Sequence, residues 1–165
     1  MKILPLGKYM GPIIFNSMYM MHTVLITVGD YFMFHLVNSL CGKECAVLSL
    51  VFNLTNEYVI RYISRTSNNG VEGSMAIAAL YFFHLLPKKV PIWNKNLSWM
   101  TCFITVSFLS RSSSLAAWIP LALLKMTEHH LNFFAFVVAG LTVAVPITAL
   151  SIILDSYYYG VWTIP

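Results

Sequence analysis

Apolar residues in this chain are gathered into long runs that short polar clusters interrupt. Six such segments lie at about 11 to 38, 45 to 63, 71 to 86, 97 to 110, 113 to 126 and 131 to 154. Strict alternation of apolar and polar residues, which a membrane-spanning β-barrel needs, does not occur, so the segments predict helices. Because a helix needs ~20 residues to cross a bilayer, the pattern predicts an all-α, polytopic transmembrane bundle with about five to six spans.

The fourth and fifth segments are too short for simple crossings, since each holds only about fourteen residues where ~20 are needed. They are expected to be tilted, half-embedded, or a broken pair separated at Arg111 to Ser114. Short broken helices are common where a transporter or a lipid enzyme builds its site. No repeat of fixed period is present, so residues 1–165 are expected to form a single transmembrane domain.

Composition supports a membrane protein. Apolar residues make up 58% of the chain, against ten basic and six acidic side chains. Soluble domains carry about a quarter charged residues, so a water-soluble globule is excluded. The formal charge of +4 arises from dispersed loop residues rather than a dense basic run, which makes nucleic acid an unexpected partner.

The orientation follows from the loops, if successive spans alternate sides. One face then carries the lysines of the Pro87 to Asn96 connector, and the other carries Arg65, Arg111 and the tail from Asp155. Each face has five basic residues, so the positive-inside count is tied. We assign the lysine face to the cytoplasm, because its lysines lie in plain loops. The sequon at Asn96 is then cytoplasmic and expected to stay unmodified.

Three polar clusters fall on the predicted lumenal face: residues 64 to 72, 110 to 114, and 155 to 160. Ionisable groups at the edge of hydrocarbon need partners or a ligand, and the arginine fork suits phosphate. The alternative is an internal ion pair that ties helices together. The third cluster also predicts an aromatic belt followed by a glycine turn. The candidate substrate-binding residues are Arg65, Asn69, Glu72, Arg111 and Asp155.

Polar residues inside the first two segments leave alternatives open. Asn53 and Glu57 lie four apart within the second segment, where an interhelical hydrogen bond is the usual explanation and substrate contact the rarer one. Asp30 either marks a helix boundary or serves as an intramembrane partner. No metal or cofactor site is predicted, because the cysteines and histidines lack ligand spacing: Cys41, Cys45, Cys102, His129 and His130.

The polar clusters carry a family resemblance. Arg65-Thr66, Asn69 and Glu72 match the pattern R-T-x-x-N-x-x-E, and Asp155 to Gly160 reads D-S-Y-Y-Y-G. Arg111 begins a match to an R-P-T motif followed by W-x-P-L, with serines in place of the proline and threonine. Across roughly residues 25 to 165 the chain resembles the dolichyl-phosphate-mannose-dependent mannosyltransferases of glycosyltransferase family 22, nearest to the GPI mannosyltransferase III group.

The resemblance implies a membrane enzyme. It implies a GT-C type helical bundle, multi-pass in the endoplasmic reticulum, that transfers mannose from dolichyl phosphate mannose to a GPI-anchor precursor at the lumenal face. The implied partners are that donor, a glycolipid acceptor and membrane lipid. The alternatives are an N-glycan precursor mannosyltransferase of the same family, or, from another class, a non-enzymatic transporter segment or accessory subunit.

The resemblance leaves the catalytic residue unassigned. Members carry an H-P-D-E-like motif in their first lumenal loop, whose aspartate is the expected general base, and the chain does not contain it. We therefore expect the chain to be a central fragment of a longer enzyme, without turnover by itself. In the complete enzyme, Arg65 or Arg111 would supply positive charge to the leaving phosphate, with Glu72 and Asp155 orienting them.

Overall fold

The computed structural model describes residues 6–56, 68–87, 90–129 and 133–160. Within those ranges the chain contains helices and no strands, which confirms the all-α prediction. The fold divides into two compact units, Met1–Ser74 and Met75–Pro165. The predicted single domain stays a prediction.

The first unit is built on a helical hairpin. Helix α1 covers Leu6–Cys41 and α2 covers Lys43–Thr55, and the two pack against each other. Gly42 joins them at φ 93°, a backbone conformation that side chains other than hydrogen rarely allow. Ala46 is completely buried on α2.

Helix α3, Asn68–His84, begins in the first unit and continues into the second, since the boundary falls between Ser74 and Met75. It starts three residues before the predicted apolar segment. The polar residues Asn68 to Gly70 therefore form its first turn. Because asparagine and glycine are weak helix formers, the apolar pattern alone predicted a start at residue 71.

The second unit continues with α4, Lys95–Ser110, and a 3₁₀ turn, Ser112–Ser114. Helices α5, Leu115–His129, and α6, Phe133–Ala139, follow. A π-helical turn, Gly140–Ala144, leads into α7, Val145–Tyr159. Pro146 lies at the start of α7, where its missing N–H and the bulk of its ring disturb the preceding turn, so a π turn there has a physical cause.

The second unit has a small apolar core. Phe82 stacks on Trp99 and Phe103, with ring centroids 6.2 and 5.7 Å away. This stack lies against a cluster whose members share nearly complete burial: Ala79, Leu86, Val90, Leu97, Met100, Trp118, Ala135 and Ala139.

Among the described residues, two helices are long and apolar enough to cross a membrane, Tyr19–Cys41 and Phe133–Tyr159. Only 6% of the most apolar stretch of each is buried within the chain, so their apolar side chains face outward. Helices α2 to α5 have 13 to 17 residues, fewer than the ~20 of a simple crossing. The structure thus supports two spans by length, and the larger number stays a prediction.

Candidate functional site

The break between α4 and α5 carries the second arginine cluster. Arg111 has an extended backbone, with φ −160° and ψ 115°, and separates α4 from the 3₁₀ turn. Its N–H donates to the Ser107 carbonyl at 3.0 Å, and its carbonyl accepts from the Ser114 N–H at 3.1 Å. The broken-pair prediction is confirmed, and the exposed Arg111 lies at the junction.

Two buried hydroxyls lie on either side of Arg111. Ser107 is fully buried and Ser114 is 6% exposed, and neither hydroxyl has a hydrogen-bond partner in the described part of the chain. By contrast, Thr105 and Ser110 on the same helix donate to the carbonyl four residues back, at 2.8 and 3.0 Å. An unbonded buried hydroxyl costs about 1–3 kcal/mol. Ser114 belongs to the predicted polar cluster at 110 to 114, whereas sequence patterning gave no signal for Ser107.

The first cluster is described only in part. Arg65 lies outside the described residues. Asn69 is exposed and Glu72 is half-buried near the start of α3, and their spacing of three places them on one side of the helix. The two polar side chains of the R-T-x-x-N-x-x-E pattern therefore share a surface.

The third cluster lies at the end of α7. Asp155 is half-buried in the last turns, and the helix closes at Gly160 with φ 70°, the glycine turn that the sequence predicted. Tyr157, Tyr158 and Tyr159 are 89%, 82% and 65% exposed. Such exposed amphipathic rings suit the headgroup region of a bilayer.

The candidate residues are divided between the two units. Asn69 and Glu72 belong to Met1–Ser74, whereas Arg111 and Asp155 belong to Met75–Pro165. Within the second unit, α4 and α7 contact each other. The convergence of all three clusters on one face stays a prediction.

An interhelical hydrogen bond links the first two helices. Asn53 Nδ2 of α2 donates to Asp30 Oδ1 of α1 at 2.5 Å. Asp30 lies inside α1, at the middle of the candidate span Tyr19–Cys41, so the helix-boundary alternative is wrong. The structure supports the interpretation of Asp30 as a partner between helices, and its place within a membrane stays a prediction. The expected interhelical bond for Asn53 is likewise confirmed, while Glu57 lies outside the described residues. Asp30 also lines a groove of about 520 Å³ with residues of α1 and α2.

Metal-binding chemistry has no support in the described ranges. They contain no group of three or more His, Cys, Asp or Glu side chains that could hold an ion. The cysteines are free thiols, exposed at Cys41 and Cys45 and half-buried at Cys102.

Comparison with known families gives the motifs their context. The family model described as the Alg9-like mannosyltransferase family matches residues 3–165. The chain belongs to this family. The match includes α1 as well as the three polar clusters, so it covers more of the chain than the motifs that suggested the resemblance, and it confirms that prediction.

Curated relatives of this Alg9-like chain carry mannosyltransferase names. Mannosyltransferase APTG1 of Arabidopsis thaliana is 22% identical over 88% of this chain and 26% of its own length. GPI alpha-1,2-mannosyltransferase 3 of Xenopus laevis is 24% identical over 85% of this chain and 26% of its own length. GPI mannosyltransferase 3 of Gibberella zeae is 24% identical over 99% of this chain and 30% of its own length.

The chain thus spans between a quarter and a third of the length of these relatives. No solved structure matches it.

Proposed function

We propose that the protein transfers mannose from dolichyl phosphate mannose to a GPI-anchor precursor, as a multi-pass protein at the lumenal face of the endoplasmic reticulum. The observation that carries this proposal is the family match across residues 3–165, together with two relatives whose names specify GPI mannosyltransferase 3. The apolar outward faces of Tyr19–Cys41 and Phe133–Tyr159 support the membrane location. Five to six spans and a GT-C type bundle belong to this proposal.

The chemistry assigned to the chain is stabilisation of a leaving phosphate. Inverting transfer to a sugar hydroxyl needs a general base on the acceptor and positive charge on the departing phosphate. Arg111, exposed at the break between α4 and α5, would provide that charge, with Arg65 from the first cluster.

The carboxylates have a supporting role in this proposal. Glu72 and Asp155 are half-buried near helix ends, where a carboxylate can orient an arginine. We assign neither as the general base, because the family's expected base belongs to the H-P-D-E-like motif. Asn69 would contact the sugar or phosphate through its amide.

The apolar pocket near the break is suited to a short part of the hydrocarbon chain of a lipid-linked donor. This pocket has a volume of about 170 Å³, and Ile104, Leu115 and Trp118 line it together with residues of neighbouring helices. Its lining is almost entirely apolar, which suits hydrocarbon rather than sugar.

A second candidate function is mannose transfer to an N-glycan precursor. The observation that favours it is the sequence D-S-Y-Y-Y-G at Asp155 to Gly160, which resembles the N-glycan members of the family as well. A non-enzymatic accessory or transporter role is the alternative outside enzymology.

Lipid analysis of cells that lack the gene separates these candidates. We expect loss of surface GPI-anchored proteins and accumulation of a GPI precursor arrested before its third mannose, with N-glycan precursors of full length. Truncated N-glycan precursors with normal GPI anchors would transfer the assignment to the second candidate. Normal glycolipids of both kinds would support the non-enzymatic alternative.

A further inference from the structure

Helices α1 and α3 approach very closely at one point. A Cβ atom built on the buried Gly29 would lie 2.8 Å from both Cβ and Oγ of Ser74, and 2.9 Å from its Cα. Carbon atoms in contact are normally ~3.5–4.0 Å apart, so any side chain at position 29 must push the helices apart. Because one of the contacted atoms belongs to the backbone, a rotamer change of Ser74 cannot relieve the overlap.

The contacted face of α3 lies away from its polar face. Successive helical residues are ~100° apart, so Glu72 lies about 160° around the helix from Ser74, and Asn69 about 140°. Burial agrees, since Gly70 and Ser74 are buried whereas Asn69 and Gly73 are exposed. The contact with Gly29 therefore places one side of the start of α3 against α1, with the candidate binding residues on the opposite side.

The α1 turn that contains Gly29 is itself fixed. The next residue, Asp30, accepts a hydrogen bond from Asn53 of α2. Gly29 of α1 thus contacts α3, and the neighbouring Asp30 forms a hydrogen bond with α2. A side chain at position 29 would therefore displace the start of α3 rather than α1.

We propose that Gly29 is a positioning residue, which sets the distance from α1 at which the start of α3 presents Asn69 and Glu72 to the lipid-linked substrates. This inference rests on the mannosyltransferase function proposed above. A displacement of about 1 Å at a binding group can lower a rate about 10²-fold, so the close contact has a catalytic consequence. Nothing in the motifs identifies Gly29, because it lies in an apolar helix far from them in sequence.

The test uses the complete protein that contains these residues. Its mannose transfer is assayed in microsomes, and its amount is measured by immunoblot. We expect Gly29→Ala to lower kcat/KM about tenfold to a hundredfold. Gly73→Ala is the matched control: it lies next to Ser74 in α3, and its added Cβ would meet nothing within 4 Å. Both changes give a helical glycine the same gain in helix propensity, so only the contact differs.

Two double variants separate positioning from general packing. Ser74→Gly removes two of the three contacted atoms, so it should recover at least severalfold of the activity that Gly29→Ala loses. Glu72→Gln should lower mannose transfer by itself. In that background, Gly29→Ala should lower kcat/KM by less than about threefold more, because Gly29 acts through the polar face that contains Glu72.

Several results would overturn the inference. Wild-type kcat/KM in Gly29→Ala, or losses that multiply fully in the Glu72→Gln background, would exclude positioning. If Gly29→Ala does not accumulate in the membrane, the double variant with Ser74→Gly is assayed instead. An intermediate kcat/KM there supports positioning, because the contact with the Cα atom of residue 74 remains, whereas full kcat/KM would show that the contact serves folding alone. Absence of transfer by the wild-type protein would instead refute the proposed function.

Discussion

The carboxylate of Asp30 is the ionisable group placed deepest along the Tyr19–Cys41 span. A charged side chain in hydrocarbon is costly, and the described structure supplies one hydrogen-bond donor, the amide of Asn53. Because this bond joins α1 to α2, it favours one register of the helical hairpin. Measured side-chain hydrogen bonds in membranes average about 0.6 kcal/mol and reach about 1.7 kcal/mol.

A double-mutant cycle measures this bond. Asp30→Ala and Asn53→Ala should each destabilise the hairpin, and the double variant should lose less than the sum, with a coupling of about 0.6–1.7 kcal/mol. Reversible unfolding in bicelles gives the free energies. The control pair is Asp30→Ala with Thr55→Val, which should be additive because the Thr55 hydroxyl donates to the Val51 carbonyl of its own helix. Additivity in the Asn53 pair would show that the bond contributes nothing.

Arg111 allows a test of phosphate recognition. Arg111→Lys keeps the positive charge and loses the two-pronged geometry of the guanidinium. Loss of one charge-assisted hydrogen bond costs about 1.5–3 kcal/mol, so mannose transfer should fall about tenfold or more. Arg65→Lys should behave alike. Transfer of labelled mannose in microsomes is the measurement, and Lys95→Arg is the matched control on the predicted cytoplasmic side. Unchanged transfer in both variants would leave the arginines with a structural role.

At the scale of elements, the start of α4 bears on topology. Asn94 caps the helix by accepting hydrogen bonds from the N–H groups of Asn96 and Leu97, at 2.8 and 3.1 Å. The Asn96 side chain donates to the Leu85 carbonyl at 3.1 Å. The sequon therefore lies in a helical turn with its amide nitrogen engaged, which disfavours a glycan on either side of the membrane. An unmodified Asn96 consequently does not report orientation, whereas a glycan there would still contradict our topology.

The cysteines at the junction of α1 and α2 report orientation instead. Cys41, at the end of α1, and Cys45, in the first turn of α2, are both exposed. If successive spans alternate sides, the connection at Gly42 lies on the same predicted cytoplasmic side as the Pro87 to Asn96 connector. A membrane-impermeant maleimide added to sealed microsomes should label them without detergent. The variant with Cys41→Ser and Cys45→Ser should lose that label and so identifies it among other thiols. Labelling that requires detergent would invert the orientation.

At the scale of the whole molecule, the two long helices leave large apolar surfaces uncovered. Val24 on α1 and Leu150 and Ile153 on α7 are 58–61% exposed. Water would penalise such surfaces strongly, at about 25 cal/mol per Å², whereas lipid would not. The length and apolar surface of these helices are those of membrane-spanning helices.

We therefore expect the chain to stay in the membrane fraction after alkaline carbonate extraction. Lysines at Thr27, Tyr31, Val145 and Leu150, which are exposed and close to the middle of their spans, should release much of it, because each costs about 2.5–3.5 kcal/mol at a helix centre. The control carries four lysines at exposed polar positions outside the two spans: Asn56, Asn69, Ser112 and Ser113. Complete extraction of the unmodified chain would contradict a membrane-spanning structure.

Much of the helical architecture could be predicted because its cause is local. Apolar segments gave α1, α4 and α5 to within a few residues, and the polar stretch at Arg111 to Ser114 gave the break. The α3 start was less predictable, since weak helix formers precede its apolar run. The candidate site could be predicted by residue type and motif but not by proximity, because spacing along a chain does not give distances between helices.

The sequence by itself determined that this protein is helical, apolar enough for a bilayer, and similar to a mannosyltransferase family through three polar clusters. These properties depend on composition and on neighbours within a few residues. Only the tertiary structure decided that Asp30 bonds to Asn53, that Gly29 meets Ser74, and that Ser107 and Ser114 are buried beside Arg111. Each of these depends on how helices pack, which side chains far apart in sequence decide together.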